Sequence, residues 1–322
     1  MSAGSLPGVG RQRGIALLVA IVMFAIATTV AAAITYNKAM AARRAAATFA
    51  LEQALQAGMA AEALAALVLE DDGGNTKTEI HRDWAQPMPP TEITEGIWVA
   101  GQLEDLTDRF NLNSLVTFDQ QRGIFVTDAR QVQVFQQLLT NLKIDVRYAD
   151  LLADWLDGDI NPQSNGGGED TLYLTQMPPY LPPNNMIVHP SELLALPGFG
   201  AENYSRLAPF VTALPFYVGM NPCTAPGMLL DVNSNEGQQQ WQNAPLDVDR
   251  KKGCSPDLSR LGASFADPAK WGLSQPYFNE KSSWFRLRTN IRIGTAEFVL
   301  YSVLFREQSN RVRVFQRSFG SE

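Results

Sequence analysis

Arg13-Gly14-Ile15-Ala16-Leu17-Leu18-Val19-Ala20-Ile21-Val22-Met23-Phe24-Ala25-Ile26-Ala27-Thr28-Thr29-Val30-Ala31-Ala32-Ala33-Ile34 is the stretch on which the reading turns. From Ile15 to Ile34 only Thr28 and Thr29 interrupt apolar residues, and the first charge beyond is Lys38. Twenty helical residues at about 1.5 Å each span roughly 30 Å, the thickness of a bilayer's hydrocarbon core. Arg11 and Arg13 lie on the short N-terminal side, so the positive-inside tendency keeps that side in the cytoplasm and sends the remainder across. A secretory signal cut near Ala31-Ala32-Ala33 is a competing reading, but its apolar region is ordinarily about 7–15 residues. A plain membrane anchor fits the length.

Beyond the span, Ala39 to Val68 is rich in helix formers, with Gly58 its one glycine and no proline. Ala47, Leu51, Leu55, Met59, Ala63 and Leu67 form an i, i+4 row, with Glu52, Gln53, Gln56 and Glu62 off it. One helix of about 55 residues, roughly 80 Å long, is expected to leave the membrane and lay this row on a globular domain. Asp71-Asp72-Gly73-Gly74-Asn75 ends it.

The whole chain has 322 residues, 45% of them hydrophobic and 18% charged, which excludes a wholly disordered protein. Its formal net charge of −7 gives no support to a general nucleic-acid binder. Two histidines and two cysteines leave little material for a zinc enzyme or a cysteine nucleophile. The pairing Cys223–Cys254 is the one intramolecular disulfide available, expected in an exported domain and not in a cytosolic one. Charge is uneven: residues 281–322 carry eight basic and three acidic side chains, the rest 18 and 30.

After a Pro-rich connector, Gln86-Pro87-Met88-Pro89-Pro90, the run from Gly96 to Leu103 reads as a strand, and Phe110 to Leu115 as a turn or short strand. Residues Asp128 to Asp157 read as helical, with Val132, Phe135, Leu138, Leu139 and Leu142 at 3–4 spacing. At the C-terminus the period becomes two: Leu287, Thr289, Ile291 and Ile293 alternate with Arg286, Arg288, Asn290 and Arg292, and Val312 and Val314 with Arg311 and Arg313. Turns at Gly294-Thr295 and Ser309-Asn310 make residues 284–319 a three-stranded antiparallel meander. Its inner face is expected to cover the long helix, leaving the arginines on a solvated face.

The juncture of Arg13, Gly14 and the apolar run resembles a type IV prepilin leader. With it stand Arg109-Phe110-Asn111-Leu112-Asn113-Ser114-Leu115, Ala153-Asp154-Trp155-Leu156-Asp157 and Gly168-Glu169-Asp170, in that order. Together they resemble the K-type minor pseudopilins of bacterial type II secretion systems over nearly the whole chain. The resemblance implies an α+β pseudopilin fold with a long N-terminal transmembrane helix and a C-terminal antiparallel sheet, interrupted by a large inserted, mostly α-helical domain. The expected division is a leader at 1–14, the helix at 15–70 with 15–36 in the membrane, a first part of the core at 71–121, the insertion at 122–280, and the closing meander at 281–322. It further implies cleavage by prepilin peptidase after Gly14, with Ile15 the methylated new N-terminus. The fifth mature residue is then Val19, where most pilins carry a glutamate able to pair with a neighbouring subunit's terminal amine. A subunit lacking it is expected to cap the filament. Implied partners are the other minor pseudopilins of the I and J types, the major pseudopilin and exported substrates. The implied location is the bacterial inner membrane, single-pass, with the bulk periplasmic.

A metal site is expected in the insertion. Asp157-Gly158-Asp159-Ile160-Asn161 matches the opening of an EF-hand loop, and Glu169 and Asp170 return carboxylates after Ser164-Asn165-Gly166-Gly167-Gly168. Calcium takes six to eight oxygens from such loops. Pro162 at position six and Gly168 at position twelve depart from a true EF-hand, so an acidic solvated loop competes; the resemblance, to a family whose helical domain binds calcium, favours a site. Asp231-Val232-Asn233-Ser234-Asn235 is a weaker oxygen cluster read mainly as loop. A different class comes from Leu196-Pro197-Gly198-Phe199-Gly200, which resembles a helix-hairpin-helix turn and would make the chain a membrane-anchored DNA-binding protein. Arg206 is the one Lys or Arg between His189 and Pro215, which favours helix packing over phosphate binding. An enzyme is not expected: His81 lies in the polar stretch after the long helix, His189 precedes Pro190 in another loop, no Ser or Cys signature accompanies either, and Asp154 with Asp157 is explained by ligation or capping.

Overall fold

The computed structural model describes residues 13–163, 166–215, 217–234 and 239–320. Residues 1–12 of the expected leader, with Arg11, lie outside them, as do Ser164, Asn165 and Asn235. The chain divides into two compact units, Met1–Gln56 and Ala57–Glu322.

Helix α1 runs unbroken from Arg13 to Asp72. Its first unit holds an 18-residue window of mean hydropathy 2.7, none of it buried within the chain. The two hydroxyls in this span bond within the helix, Thr28 to the carbonyls of Phe24 and Ala25 and Thr29 to that of Ile26. That satisfies them without water, as a bilayer interior requires. Gly73 closes the helix by donating to the Leu69 carbonyl at 2.9 Å.

In chain order there follow β1 (Met88–Thr94), β2 (Ile97–Asp105), β3 (Phe110–Asn111), β4 (Val116–Asp119), β5 (Ile124–Thr127), α2 (Ala129–Asn141), α3 (Arg147–Leu156) and α4 (Asp170–Leu174). Then come α5 (Gly200–Leu207), β6 (Val211–Thr212), α6 (Gly227–Ser234), α7 (Leu246–Arg250), α8 (Leu258–Ala263), α9 (Pro268–Ser274), β7 (Trp284–Ile293), β8 (Ala296–Arg306) and β9 (Val312–Phe319). The main sheet is antiparallel in the order β1-β2-β7-β8-β9. Its last three strands are the meander read from the sequence.

Two features of the sheet differ from that reading. The Pro-rich connector is itself strand β1, because at the edge Pro89 and Pro90 need donate nothing, and the register with β2 shifts between Met88 and Thr91. The chain leaves the sheet at Asp105, opposite Phe285, and the next sheet strand begins at Trp284, so residues 106–283 interrupt it. A boundary at 121 would cut the β4–β5 hairpin, in which Asp119 pairs with Ile124.

The long helix also turns the other way from expectation. Leu51, Leu55, Met59 and Leu67 are exposed, at 43, 38, 48 and 64%, while Ala57, Ala61, Glu62, Ala65 and Leu69 are buried. The physical reason is close approach. A Cβ at Gly58 would run into Leu300 Cδ2, so β8 sits close against the helix where Gly and Ala face it. Inside the insertion, Leu112, Phe135, Leu138, Leu152, Leu156 and Tyr173 belong to one buried cluster. Asp128 caps α2 through the amides of Arg130 and Gln131, and the helical stretch breaks between Asn141 and Arg147, where Lys143 takes φ 55°.

Candidate metal site in the insertion

The site is built at the C-terminus of α3. Asp154, three residues before the helix-ending Asp157, accepts from Gln163 N at 3.0 Å and from Gly168 N at 2.7 Å. These bonds fold the following loop back over the helix end. Gly167 is needed there, since a Cβ would run into Asp154 Oδ2. The fold brings Glu169, at the N-cap of α4 and 6% exposed, to the carboxylates of Asp157 and Asp159. One oxygen of each of the three lies within 4.8 Å of the others.

Asp157 Oδ2 accepts from Thr127 Oγ1 and from Gln163 Nε2, both at 2.9 Å. Asp157 Oδ1 and both Glu169 carboxylate oxygens are buried and receive no hydrogen bond among the described residues. Burial first, and repulsion from Asp154, Asp157, Asp159 and Asp170 second, push the Glu169 carboxyl up to about 7. Burial pushes Asp154 up to about 6 against the amides that favour its charge. Asp157 is raised mainly by burial. Three convergent carboxylates with orphaned buried oxygens are a costly arrangement that a hard cation relieves. The donor set is all oxygen, which fits calcium rather than a thiolate- or imidazole-seeking metal.

Of the expected ligands, Asp157, Asp159 and Glu169 come together. Asn161 is exposed and donates its backbone and side-chain amides to Asp159 Oδ1, at 2.8 and 3.3 Å. Asp170 is exposed at the start of α4 and stands outside the carboxylate cluster. Thr127 and Gln163 were missed. Neither type marks a ligand loop, and Thr127 arrives from the β4–β5 hairpin, which spacing did not reveal.

The remaining candidates separate. Cys223 and Cys254 are joined by a disulfide. Asp231, in α6, is buried and accepts from Trp241 N and Gln242 N, so it fastens a loop. In the hairpin Gly198 and Gly200 take φ of 77° and 71°, Phe199 packs edge-on against Tyr148, and Arg206 donates to the carbonyls of Leu142 and Lys143. His189 caps the short 3-10 turn Pro190–Ala195, with Glu192 completing the capping box. Ile15 and Val19 are exposed on α1, and Gly14 lies within it.

Residues 108–216 match the family described as type II secretion system (T2SS), protein K. The type II secretion system protein K of Pseudomonas aeruginosa is 30% identical, over 96% of this chain and 93% of that protein. The chain belongs to the type II secretion system protein K family. A protein K from Pectobacterium carotovorum is also 30% identical, over 96% of this chain and 97% of its own length. The fold matches a chain in the crystal structure of the GspK-GspI-GspJ complex of enterotoxigenic Escherichia coli, with a TM-score of 0.74 at 23% identity, covering 87% of this chain and all of that one. The matched 108–216 region contains the carboxylate cluster, the β4–β5 hairpin and the turn at 196–200.

Proposed function

We propose that the chain is a minor pseudopilin of type II secretion, seated at the tip of the periplasmic pseudopilus, where it helps start assembly and the export of folded proteins. Membership of the protein K family carries this reading. The exposed row Leu51, Leu55, Met59 and Leu67 supports it, because large apolar side chains facing outward along a rod are suited to packing beside other rods. The partners are then the I- and J-type minor pseudopilins, named in the complex containing the fold's structural match, and the major pseudopilin. Prepilin peptidase cuts after Gly14 and Ile15 becomes the methylated terminus. Val19 offers no carboxylate to a subunit above it, which suits a cap.

Asp157, Asp159 and Glu169 would hold calcium, and the ion would supply the positive charge their buried oxygens lack. Mass spectrometry of the chain purified from membranes tests the processing: a start at Ile15 with one added methyl is expected, and a start near Ala33 or an intact Met1 overturns it. Retention of the I- and J-type subunits by the tagged full chain tests the partners, and their loss overturns the assembly role.

A further inference from the structure

Immediately beyond its apolar span, α1 carries a short run of cations. From Gly14 to Leu51 the ionised side chains are Lys38, Arg43 and Arg44, and the first carboxylate is that of Glu52. All three cations are exposed on an unbroken helix. None of their side chains has an ion-pair or hydrogen-bond partner among the described residues; Thr48 Oγ1 donates to Arg44 only at its backbone carbonyl. On a helix a cation is paired by residues three or four positions away, and at those places all three find Ala, Met, Thr or Ile and no carboxylate. Three positive charges therefore stand without an anion on their own rod.

Their heights suit a membrane surface. With Ile34 as the end of the span, Lys38 stands about 6 Å above it and the two arginines about 14–15 Å. A headgroup layer is roughly 5–8 Å thick. Side chains on a helix lean toward its N-terminus, which here is the membrane side. The long arginine stems thus bring their guanidiniums down toward the lipid phosphates, within the Debye length of about 8 Å at physiological salt. Tyr36, 67% exposed, lies between the span and Lys38, the level at which amphipathic rings collect. Direction matters as well. At about 100° per residue the three cations point roughly 100–140° apart and so encircle the rod. A neighbouring helix can face two of them at most, whereas lipid headgroups surround all three.

We propose that Lys38, Arg43 and Arg44 form a collar that gathers anionic phospholipid headgroups around the emerging rod, a proposal that rests on residues 15–34 spanning the bilayer. Charge complementarity selects the occupant. The guanidiniums offer forked donors to a lipid phosphate, and Lys38 adds a point charge. Each cation near an anionic surface strengthens the attraction about fivefold. The collar also sets the depth of the rod: sinking draws charges into hydrocarbon, which is costly, and rising lifts them off the phosphates.

The test places the full chain in nanodiscs of equal phosphatidylglycerol and phosphatidylcholine and counts the lipids that stay with it by native mass spectrometry. Retention of phosphatidylglycerol is expected to exceed that of phosphatidylcholine about tenfold. In a triple variant, Lys38→Gln with Arg43→Gln and Arg44→Gln, the preference should fall several-fold. The two forms share every other cation, and glutamine is a good helix former at exposed positions, so their difference reads the collar. The preference should shrink as salt rises from about 50 to 300 mM. Flotation with phosphatidylcholine vesicles separates the collar from the span. A wild type that fails to float overturns both; a wild type that floats and retains the two lipids equally overturns the collar alone. An undiminished preference in the triple variant, or displacement of the retained lipid by about 10 mM inorganic phosphate, also overturns it. So does loss of the I- and J-type subunits from the triple variant with no lipid preference in either form, which would assign the cations to a protein.

Discussion

Arg306, whose side chain is 1% exposed, joins the end of α1 to the sheet. It donates to the Leu69 carbonyl and Asp72 at 3.1 Å each, and to Thr78 Oγ1 and the Ser282 carbonyl at 2.8 and 2.6 Å. A cation at a helix C-terminus meets the negative end of the dipole and satisfies carbonyls the helix leaves open. Replacing Arg306 with Met removes that charge and leaves Asp72 with the Asn75 amide at 3.3 Å and a longer 3.7 Å contact to Arg82. A loss of about 3–5 kcal/mol is expected, read as a lower urea midpoint. The carboxylate cluster makes a pH prediction. Burial raises Glu169 from 4.5 to about 7, so in metal-free protein the folded state holds a proton the unfolded state has released. Its contribution is fully present below about 4.5 and is lost as pH rises through 7. Calcium reverses the trend, since binding requires the ionised form. Thermal melts at pH 5 and 8, with calcium or with chelator, check this. The metal-free protein should melt lower at pH 8, calcium should raise the melt mainly at pH 8, and Glu169→Gln should remove the calcium effect and lessen the pH dependence, of which Asp154, raised to about 6, keeps a part.

The helix and sheet meet through a strip of Ala and Gly, and this makes their contact intolerant of size. Gly58→Leu would drive a side chain into Leu300 and Ile291 and is expected to destabilise by roughly 1–3 kcal/mol or more, measured by denaturation with the main loss of native signal at the sheet. Glu62 survives in the same strip because Ser302 and Arg317 complete it, the guanidinium of Arg317 donating at 2.8 and 2.7 Å. In the insertion short helices share one buried cluster, and a covalent link adds to it. The Cys223–Cys254 bond spans a sequence separation of 31, and its double replacement by Ser should cost about 3–4 kcal/mol through loop entropy. The same chain-wide melts, compared with and without reductant, measure it: the wild type should lose stability on reduction and the double variant should not change.

A long rod whose outward row is Leu and Met, and whose inward row is Ala and Gly, has its large apolar groups free for other molecules. Met59→Glu with Leu67→Glu should therefore leave the head's melting temperature within about 1 °C, because single exposed positions contribute little to folding. The same pair should abolish recovery of the I- and J-type subunits with the tagged chain. An unchanged recovery would assign assembly to another surface. The two families of prediction are separable: those at Arg306 and Gly58 act on folding, whereas this one acts on association.

Patterns of short range sufficed for much of the architecture. Twenty residues, apolar but for Thr28 and Thr29, set the length of a membrane span, alternation at 286–293 and 311–314 with the turns between set the closing meander, and two cysteines admit one pairing. Contacts between distant segments were not legible in such patterns. Both faces of α1 carry apolar residues, and the choice between Ala57–Ala61–Ala65 and Leu51–Leu55–Met59 depends on how near β8 comes. Glu62 reads as a solvent residue until Arg317, 255 positions later, is brought beside it. Glu169 misses the EF-hand spacing by one place, yet Asp154 draws the loop back so that it reaches Asp157. Local periodicity is written in neighbouring residues; the closeness of approach and the pairing of buried charges are decided only when distant segments pack.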